Sequence, residues 1–135
     1  MSDLQPLRAM LREMPAADAM IAEWRGGPQE NGSVQAPYPE YGPVIDRLWA
    51  AFAAAGFPEM GQQDYIAVMS RWRAAHAVQR VTPVHVGRMD HETCFNLLRE
   101  IQRSERFCDG AWLTAWREGL FHAVAERLVA LCDDS

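Results

Sequence analysis

Apolar residues along the chain recur three or four positions apart, which is the spacing of an amphipathic helix and not of a strand. Leucines and methionines between residues 4 and 14 form a first short stripe on this spacing. Pro15 fits the first turn of a second helical segment, whose apolar side is Met20, Ile21 and Trp24. The pattern therefore predicts two short helices before the first glycine-rich stretch.

The clearest helix is predicted over residues 44–55, where large hydrophobic side chains share one side. Pro43 precedes it, and Gly56 stands where a left-handed residue commonly ends a helix. A further helix is predicted from residue 63 or 64 to residue 77. Residues 81–86 alternate loosely and predict a short extended piece, although their proline argues against a central strand.

Two more helical patterns occupy the C-terminal third of the chain. Asp90 is a good N-cap for a helix over residues 91–103. A longer pattern begins near Asp109 and continues to Leu131, with Gly119 placed to divide it into two helices. Together the patterns predict an all-α fold, in which the whole chain forms a single compact domain of five to seven helices.

Residues 26–43 differ in composition from the rest of the chain. They hold four glycines and four prolines, so they predict a Pro/Gly-rich loop or ordered arm and not a helix. Tyr38 and Tyr41 give this arm two aromatic rings within a proline-fixed segment. Rings held in this way favour docking onto a neighbouring surface, so we expect the arm to be packed.

Charge is distributed unevenly. All 13 basic residues are arginines, against 18 acids, for a formal charge of −5. The lack of lysine excludes Schiff-base chemistry and a Walker A phosphate site. Residues 1–70 hold 4 arginines and 9 acids, whereas residues 71–132 hold 9 arginines and 7 acids. The acidic total argues against a protein whose whole surface coats nucleic acid or an anionic membrane.

The cysteines and the first residues bear on location. Cys94, Cys108 and Cys132 are an odd number at wide spacing without a Cys-x-x-Cys pair, which is typical of reduced thiols. The N-terminus lacks a basic region followed by an apolar run. No stretch of sequence approaches the ~18 apolar residues of a membrane span. We therefore expect a cytoplasmic protein without membrane contact.

The densest group of chemically useful side chains is the junction segment, residues 103–112, with two arginines, two acids, a thiol and two aromatic rings. Arg103 and Arg106 are three apart, so they can share a helix face and form a forked site for phosphate or carboxylate. In the alternative interpretation they pair with acids of the chain and lock the junction. The acids available for that pairing are Glu100, Glu105 and Asp109.

Within the junction segment, residues 103–110 read Arg-Ser-Glu-Arg-Phe-Cys-Asp-Gly. This sequence resembles the Arg-x-Glu-Arg-Phe-Cys-Asp-Gly signature of a bacterial family of proteins of unknown function. The arm at residues 38–41, the helix start at Asp64 and the helix after Gly119 also resemble the pattern of that family, so the likeness covers roughly residues 37–131. The resemblance implies family membership, and no substrate, cofactor or partner follows from it.

The other side chains of the junction segment have both structural and chemical interpretations. Asp109 before Gly110 is most simply a helix N-cap, and with Glu105 it offers a carboxylate pair for acid/base work or half of a metal site. Cys108 is either a small buried hydrophobe or a nucleophile activated by Arg106. No second acidic cluster or helical histidine pair completes such a site. We therefore predict no catalytic residue, metal or cofactor.

Residues 65–89, here called the acid-free window, carry four arginines and no acid. Within it Trp72 lies between Arg71 and Arg73, and a ring between two guanidinium groups can stack a nucleic-acid base or anchor a partner chain. The alternative is a core ring whose neighbouring arginines point to solvent. The window is thus a second candidate binding region.

Three functions follow from these patterns. The first is a non-catalytic macromolecule-binding or regulatory protein, in particular a small acidic inhibitor of a nucleic-acid-processing protein complex. The second is a nucleotide- or phosphate-binding enzyme or sensor at the junction segment, with a pocket bordered by Trp112 and by the arm that carries Tyr38 and Tyr41. The third is nucleic-acid binding through Arg71 to Arg88. No heptad run specifies an oligomeric state. The acids expected to form the inhibitor's contact face are Asp3, Glu13, Asp18, Glu23, Glu30, Glu40 and Asp46.

Overall fold

A computed structural model describes residues 3–17, 19–58 and 64–133 of the chain. These residues form seven helices and one two-stranded antiparallel sheet. In chain order the elements are α1 (Gln5–Glu13), β1 (Ala22–Pro28), β2 (Val34–Tyr41), α2 (Pro43–Ala54), α3 (Tyr65–Ala75), α4 (Pro83–Val86), α5 (His91–Ser104), α6 (Ala111–Arg117) and α7 (Leu120–Asp133). Among these helices, none combines the length and apolar character that a membrane crossing needs.

The helices share one hydrophobic core. Its three largest fully buried side chains are Trp116 of α6, Phe52 of α2 and Phe121 of α7, and Leu98 of α5 is fully buried with them. Trp49 of α2 meets the Phe121 ring edge-on, with 5.5 Å between the ring centroids. Burial of each such side chain stabilises the fold by about 1.5–3 kcal/mol. The prediction of a mostly helical compact domain is confirmed.

Several helix boundaries follow from local signals in the sequence. Asp90 Oδ1 accepts a hydrogen bond from the Thr93 backbone amide at 2.8 Å, so α5 begins where its N-cap predicts. Gly56 has a φ of +111° just after α2, and Gly119 has a φ of +78° between α6 and α7. Both values lie in the left-handed region that glycine adopts without strain. The predicted ends of these helices are confirmed.

A hairpin replaces the predicted loop or arm of residues 26–43. β1 and β2 run antiparallel, with Ala22 opposite Tyr41 and Arg25 opposite Tyr38. The connection contains Asn31, whose side chain accepts the Ser33 backbone amide at 3.0 Å and so stabilises the turn. The purely all-α expectation is wrong here, because the glycine- and proline-rich composition marks a turn between two paired strands.

The predicted helix with Met20, Ile21 and Trp24 on its apolar side is also wrong. Trp24 lies within β1 and keeps 51% of its surface exposed. Its ring lies across Gly110, where a Cβ atom would come within 3.0 Å of Trp24 Cη2. Alternate strand residues share a face, so Trp24 and Tyr41 project together toward the α5–α6 junction. The direction of the Trp24 side chain therefore follows the two-residue alternation of a strand and not the spacing of a helix.

Most of the segment 81–86 is helical and not extended, contrary to the prediction: residues 83–86 form a helix, and only the residues before it are not helical. Its helix α4 is a single turn that begins at Pro83, whose fixed φ suits the first helical position. The Thr82 backbone amide donates to His85 Nδ1 at 3.0 Å, which closes the turn. The proline that argues against a central strand therefore begins a helix.

Candidate anion-binding site

An open cleft of about 450 Å³ lies between α5, the turn that follows it and α6. This cleft, here called the arginine cleft, is lined by Arg99, Gln102, Arg103, Glu105, Arg106 and Trp112. Positions 99, 102, 103 and 106 are spaced so that they share one helix face. The Arg106 backbone amide donates to the Arg103 carbonyl at 3.1 Å, which continues that face beyond the end of α5.

Arg103 and Arg106 bring two guanidinium groups to the cleft that form no ion pair with any residue in the described part of the chain. Glu100, one of the acids expected to pair with them, is bound to Arg73 of α3 instead. Asp109 is exposed and does not line the cleft. Both guanidinium groups are therefore available to an external anion.

Glu105 is held by hydrogen bonds that leave its charge largely satisfied. Its Oε1 accepts the Tyr41 hydroxyl at 2.6 Å and the Trp112 backbone amide at 2.9 Å, while Oε2 accepts the Gly110 amide at 2.8 Å. The prediction that Asp109 is the N-cap of α6 is wrong: the N-cap is Gly110, with a φ of +92° and no side-chain cap of its own. Glu105 supplies the missing acceptor.

This hydrogen bonding determines the electrostatics of the cleft. The carboxylate of Glu105 faces backbone amides at the start of α6, which stabilise its negative charge. Burial and the neighbouring Glu105 carboxylate raise the pKa of Tyr41, so the tyrosine remains a neutral donor. Three arginines therefore face one carboxylate that already has its partners, and the cleft carries excess positive charge.

Arg99 is the innermost arginine and only 3% exposed. Its guanidinium donates to the Gln102 side chain and to the Pro58 carbonyl, and lies 4.7 Å from the centroid of the Phe57 ring. Its Nε is buried without a hydrogen-bond partner among the described residues. Burial, and then the nearby positive charge of Arg103, lower the pKa of Arg99. An anion in the cleft would relieve this repulsion.

Arg99 is a site residue that the sequence interpretation missed. It stands four and seven positions before Arg103 and Arg106, which places it on the same helix face. That spacing was the available signal. Arg99 contacts Phe57 and Pro58, which follow α2, and sequence spacing does not indicate these contacts.

Trp112 forms a rigid wall of the cleft. Its ring centroid lies 5.2 Å from that of Tyr41 and 5.5 Å from that of Trp49. Its Nε1 donates to the Ile101 carbonyl at 3.1 Å, which fixes the ring plane. The structure thus brings together Trp112 with three of the predicted site residues of the junction segment, and leaves Asp109 outside.

No residue of the acid-free window lines the cleft, and acids from elsewhere neutralise part of the window. Arg73 pairs with Glu100, and Arg80 pairs with Glu118. Trp72 is half-buried and stacks on the exposed His76 ring at 4.4 Å. Arg71 remains exposed beside it. The candidate binding residues Arg71, Trp72 and Arg73 therefore do not join the residues of the junction segment.

The thiols and the acids offer little further chemistry. Cys94 is buried, and burial raises its pKa to about 12, whereas Cys108 is exposed. Glu105 is already bound by Tyr41 and backbone amides, and these contacts do not favour a catalytic carboxylate pair with Asp109. Across the residues that the structure describes, no three His, Cys, Asp or Glu side chains cluster as metal ligands.

Comparison with known proteins gives one match. The model of a family of unknown function, DUF6508, matches residues 1–134. No curated protein and no solved structure matches the chain. A resemblance to a family of unknown function is confirmed over nearly the whole length.

Proposed function

We propose that this chain, which belongs to the DUF6508 family of unknown function, is a non-catalytic sensor or binding protein that holds a phosphate-bearing ligand in the arginine cleft. One observation carries the proposal: Arg103 and Arg106 have no acidic partner among the described residues, and they share a cleft with the buried Arg99. We also infer that residues 103–110 are the family's signature, and three of the cleft residues, Arg103, Glu105 and Arg106, belong to that segment.

The chemistry of the cleft favours a phosphate group. Each guanidinium presents parallel N–H donors that match two oxygens of a phosphate, and such charge-assisted pairs are stronger than neutral hydrogen bonds. The partly exposed Trp112 gives the same cleft an aromatic wall. A nucleotide combines a phosphate with a ring that such a wall can contact, so nucleotides are the first ligands to try.

A binding role is favoured over catalysis by what surrounds the arginines. The carboxylate in the cleft is bound by two backbone amides and a tyrosine. The cleft-lining residues that the structure describes include no histidine, cysteine or serine to act as a base or nucleophile. The cleft therefore holds donors for an anion without the groups that would transform it.

Isothermal titration with inorganic phosphate, pyrophosphate and nucleoside mono- and triphosphates tests the proposal. We expect at least one of them to bind, and Arg106→Ala or Arg103→Ala to weaken that binding about 10- to 100-fold, because each loses a charged hydrogen-bond pair. Arg88→Ala is the matched control, since Arg88 is an exposed arginine outside the cleft. Absence of binding by all four probes, or an equal loss in the Arg88 variant, would contradict the proposal.

The acidic-inhibitor function remains a second prediction with a separate test. Part of its expected contact face is engaged within the chain: Arg47 pairs with Glu13, and Arg25 pairs with both Glu23 and Glu40. Asp18, another of these acids, lies outside the described residues. Alanine replacement of the acids should abolish binding to a nucleic-acid-processing partner, and unchanged affinity would exclude this function.

A further inference from the structure

The end of β2 reaches the arginine cleft through one side chain. Tyr41 donates its hydroxyl to Glu105 Oε1 at 2.6 Å and accepts the Leu113 backbone amide at 3.2 Å. Its ring lies against Trp112. Tyr41 is not a wall of the cleft, yet it contacts two residues that are. The hairpin is therefore linked to the cleft by hydrogen bonding as well as by packing.

Glu105 is the one acid among the described residues that line the cleft, and its side chain belongs to the same turn as Arg106. Were it free, it could compete with an external anion for the two unpaired guanidinium groups, because it lines the same cleft. Its three hydrogen bonds aim the carboxylate at the start of α6 instead. The contact from Tyr41 is the shortest of the three, and the only one made by a side chain.

We propose that Tyr41 is a positioning residue, whose hydroxyl keeps Glu105 away from Arg103 and Arg106 and so keeps the arginine cleft open to anions. The effect on anion binding rests on the proposed function, whereas the restraint of Glu105 by Tyr41 does not. Loss of the hydroxyl leaves Glu105 with an unsatisfied lone pair, and the guanidinium groups that line the same cleft are strong donors. Docking of the hairpin then sets the affinity of the cleft.

A purely structural role for Tyr41 makes a different prediction. If the hydroxyl only fastened the hairpin to α6, its loss would loosen Trp112 and weaken binding whatever the charge at position 105. If it restrains Glu105, its loss weakens binding only while residue 105 is negatively charged. The amide of Glu105→Gln keeps one acceptor oxygen, for the Tyr41 hydroxyl and the Trp112 amide, and loses the acceptor of the Gly110 amide. It cannot compete for an arginine as an anion. This variant separates the two roles.

Calorimetric titration with pyrophosphate of the parent chain, Tyr41→Phe, Glu105→Gln and the double variant is the first test. We expect Tyr41→Phe to weaken binding about three- to tenfold, which corresponds to a modest exposed ion pair. In the Glu105→Gln background the same change should have no effect. Tyr38→Phe is the control, because Tyr38 projects from the opposite face of the hairpin. A loss that persists in the Glu105→Gln background would overturn the proposal.

A second test needs no ligand. If Glu105 moves to Arg106 in the Tyr41→Phe variant, then Arg106→Ala should change the unfolding equilibrium constant about two- to fivefold there, measured in urea, and hardly at all in the parent. Equal effects in both backgrounds would overturn the positioning role even if pyrophosphate binds. Coupling without any phosphate binding would instead leave the positioning role in place and contradict the proposed function.

Discussion

The acid-free window and the arginine cleft both combine arginines with a tryptophan, yet they differ in how far acids of the chain neutralise those arginines. In the window, Arg73 and Arg80 are paired with Glu100 and Glu118, which come from other elements. In the cleft, the acid nearest along the sequence, Glu105, is bound by a tyrosine and two backbone amides. Two of the four arginines in the acid-free window are therefore neutralised, whereas neither arginine of the junction segment has an acidic partner among the described residues.

This difference shows why counting acids along a segment is a poor guide to available charge. A carboxylate has a limited number of lone pairs, and those of Glu105 are directed at the unpaired amides that begin a helix. Glu100 reaches Arg73 because α3 packs along α5. Tertiary packing, and not local composition, therefore decides which arginines are free.

Removing the tryptophan of each region should give the largest difference in stability between the window and the cleft. Trp112→Ala should lower the free energy of unfolding by about 3 kcal/mol, because it removes a large ring packed against two aromatic neighbours and leaves a cavity. Trp72→Ala should cost less, since its stacked partner His76 is exposed. Urea unfolding followed by circular dichroism measures both. An equal or larger loss in the Trp72 variant would mean that the two regions do not differ in packing.

Much of the helical framework could be predicted from the sequence, because its signals are local. Pro43, Gly56, Asp90 and Gly119 each act through the backbone within a turn of their own position, and each stands at a helix boundary. The hairpin could not be predicted in the same way. Trp24 follows Met20 and Ile21 at helical spacing, and pairing with residues 34–41 is what selects the strand.

The candidate site was predictable only in part, for the same reason. Arg103, Arg106 and Trp112 are concentrated in one segment, so composition alone indicates them. The bond between Tyr41 and Glu105 joins residues 64 positions apart, and no local pattern encodes it. That long-range bond separates an open anion site from a locked junction. The sequence predicts that the tyrosine-bearing arm borders the pocket, but spacing does not indicate which side chain the arm bonds.

The arginines themselves provide a smaller and more direct test. Arg73→Ala should lower the free energy of unfolding by about 1 kcal/mol, because it leaves Glu100 without its partly buried partner. Arg103→Ala should be neutral or slightly stabilising, since it removes a positive charge that opposes the charge on Arg99. Matched urea denaturation curves of the two variants make the comparison. Destabilisation by Arg103→Ala as large as that by Arg73→Ala would indicate that Arg103 has an internal partner after all.

The smallest expected effect concerns α5, the helix that supplies Glu100 to the window and the arginines to the cleft. Hydrogen bonds from Thr93, its side chain and then its backbone amide, lower the pKa of the N-cap Asp90. The stability from this cap is therefore present above the ordinary pKa of an aspartate and is lost as the pH falls through the lowered value. Asp90→Asn keeps a good cap that does not titrate, so it should reduce the loss of stability between about pH 5 and about pH 2. Because this cap begins the helix that serves both regions, acid should weaken the Arg73–Glu100 contact and the cleft together. Amide hydrogen exchange in the two regions, followed as the pH is lowered, measures this. Faster exchange in only one region would show that the two faces of α5 respond independently.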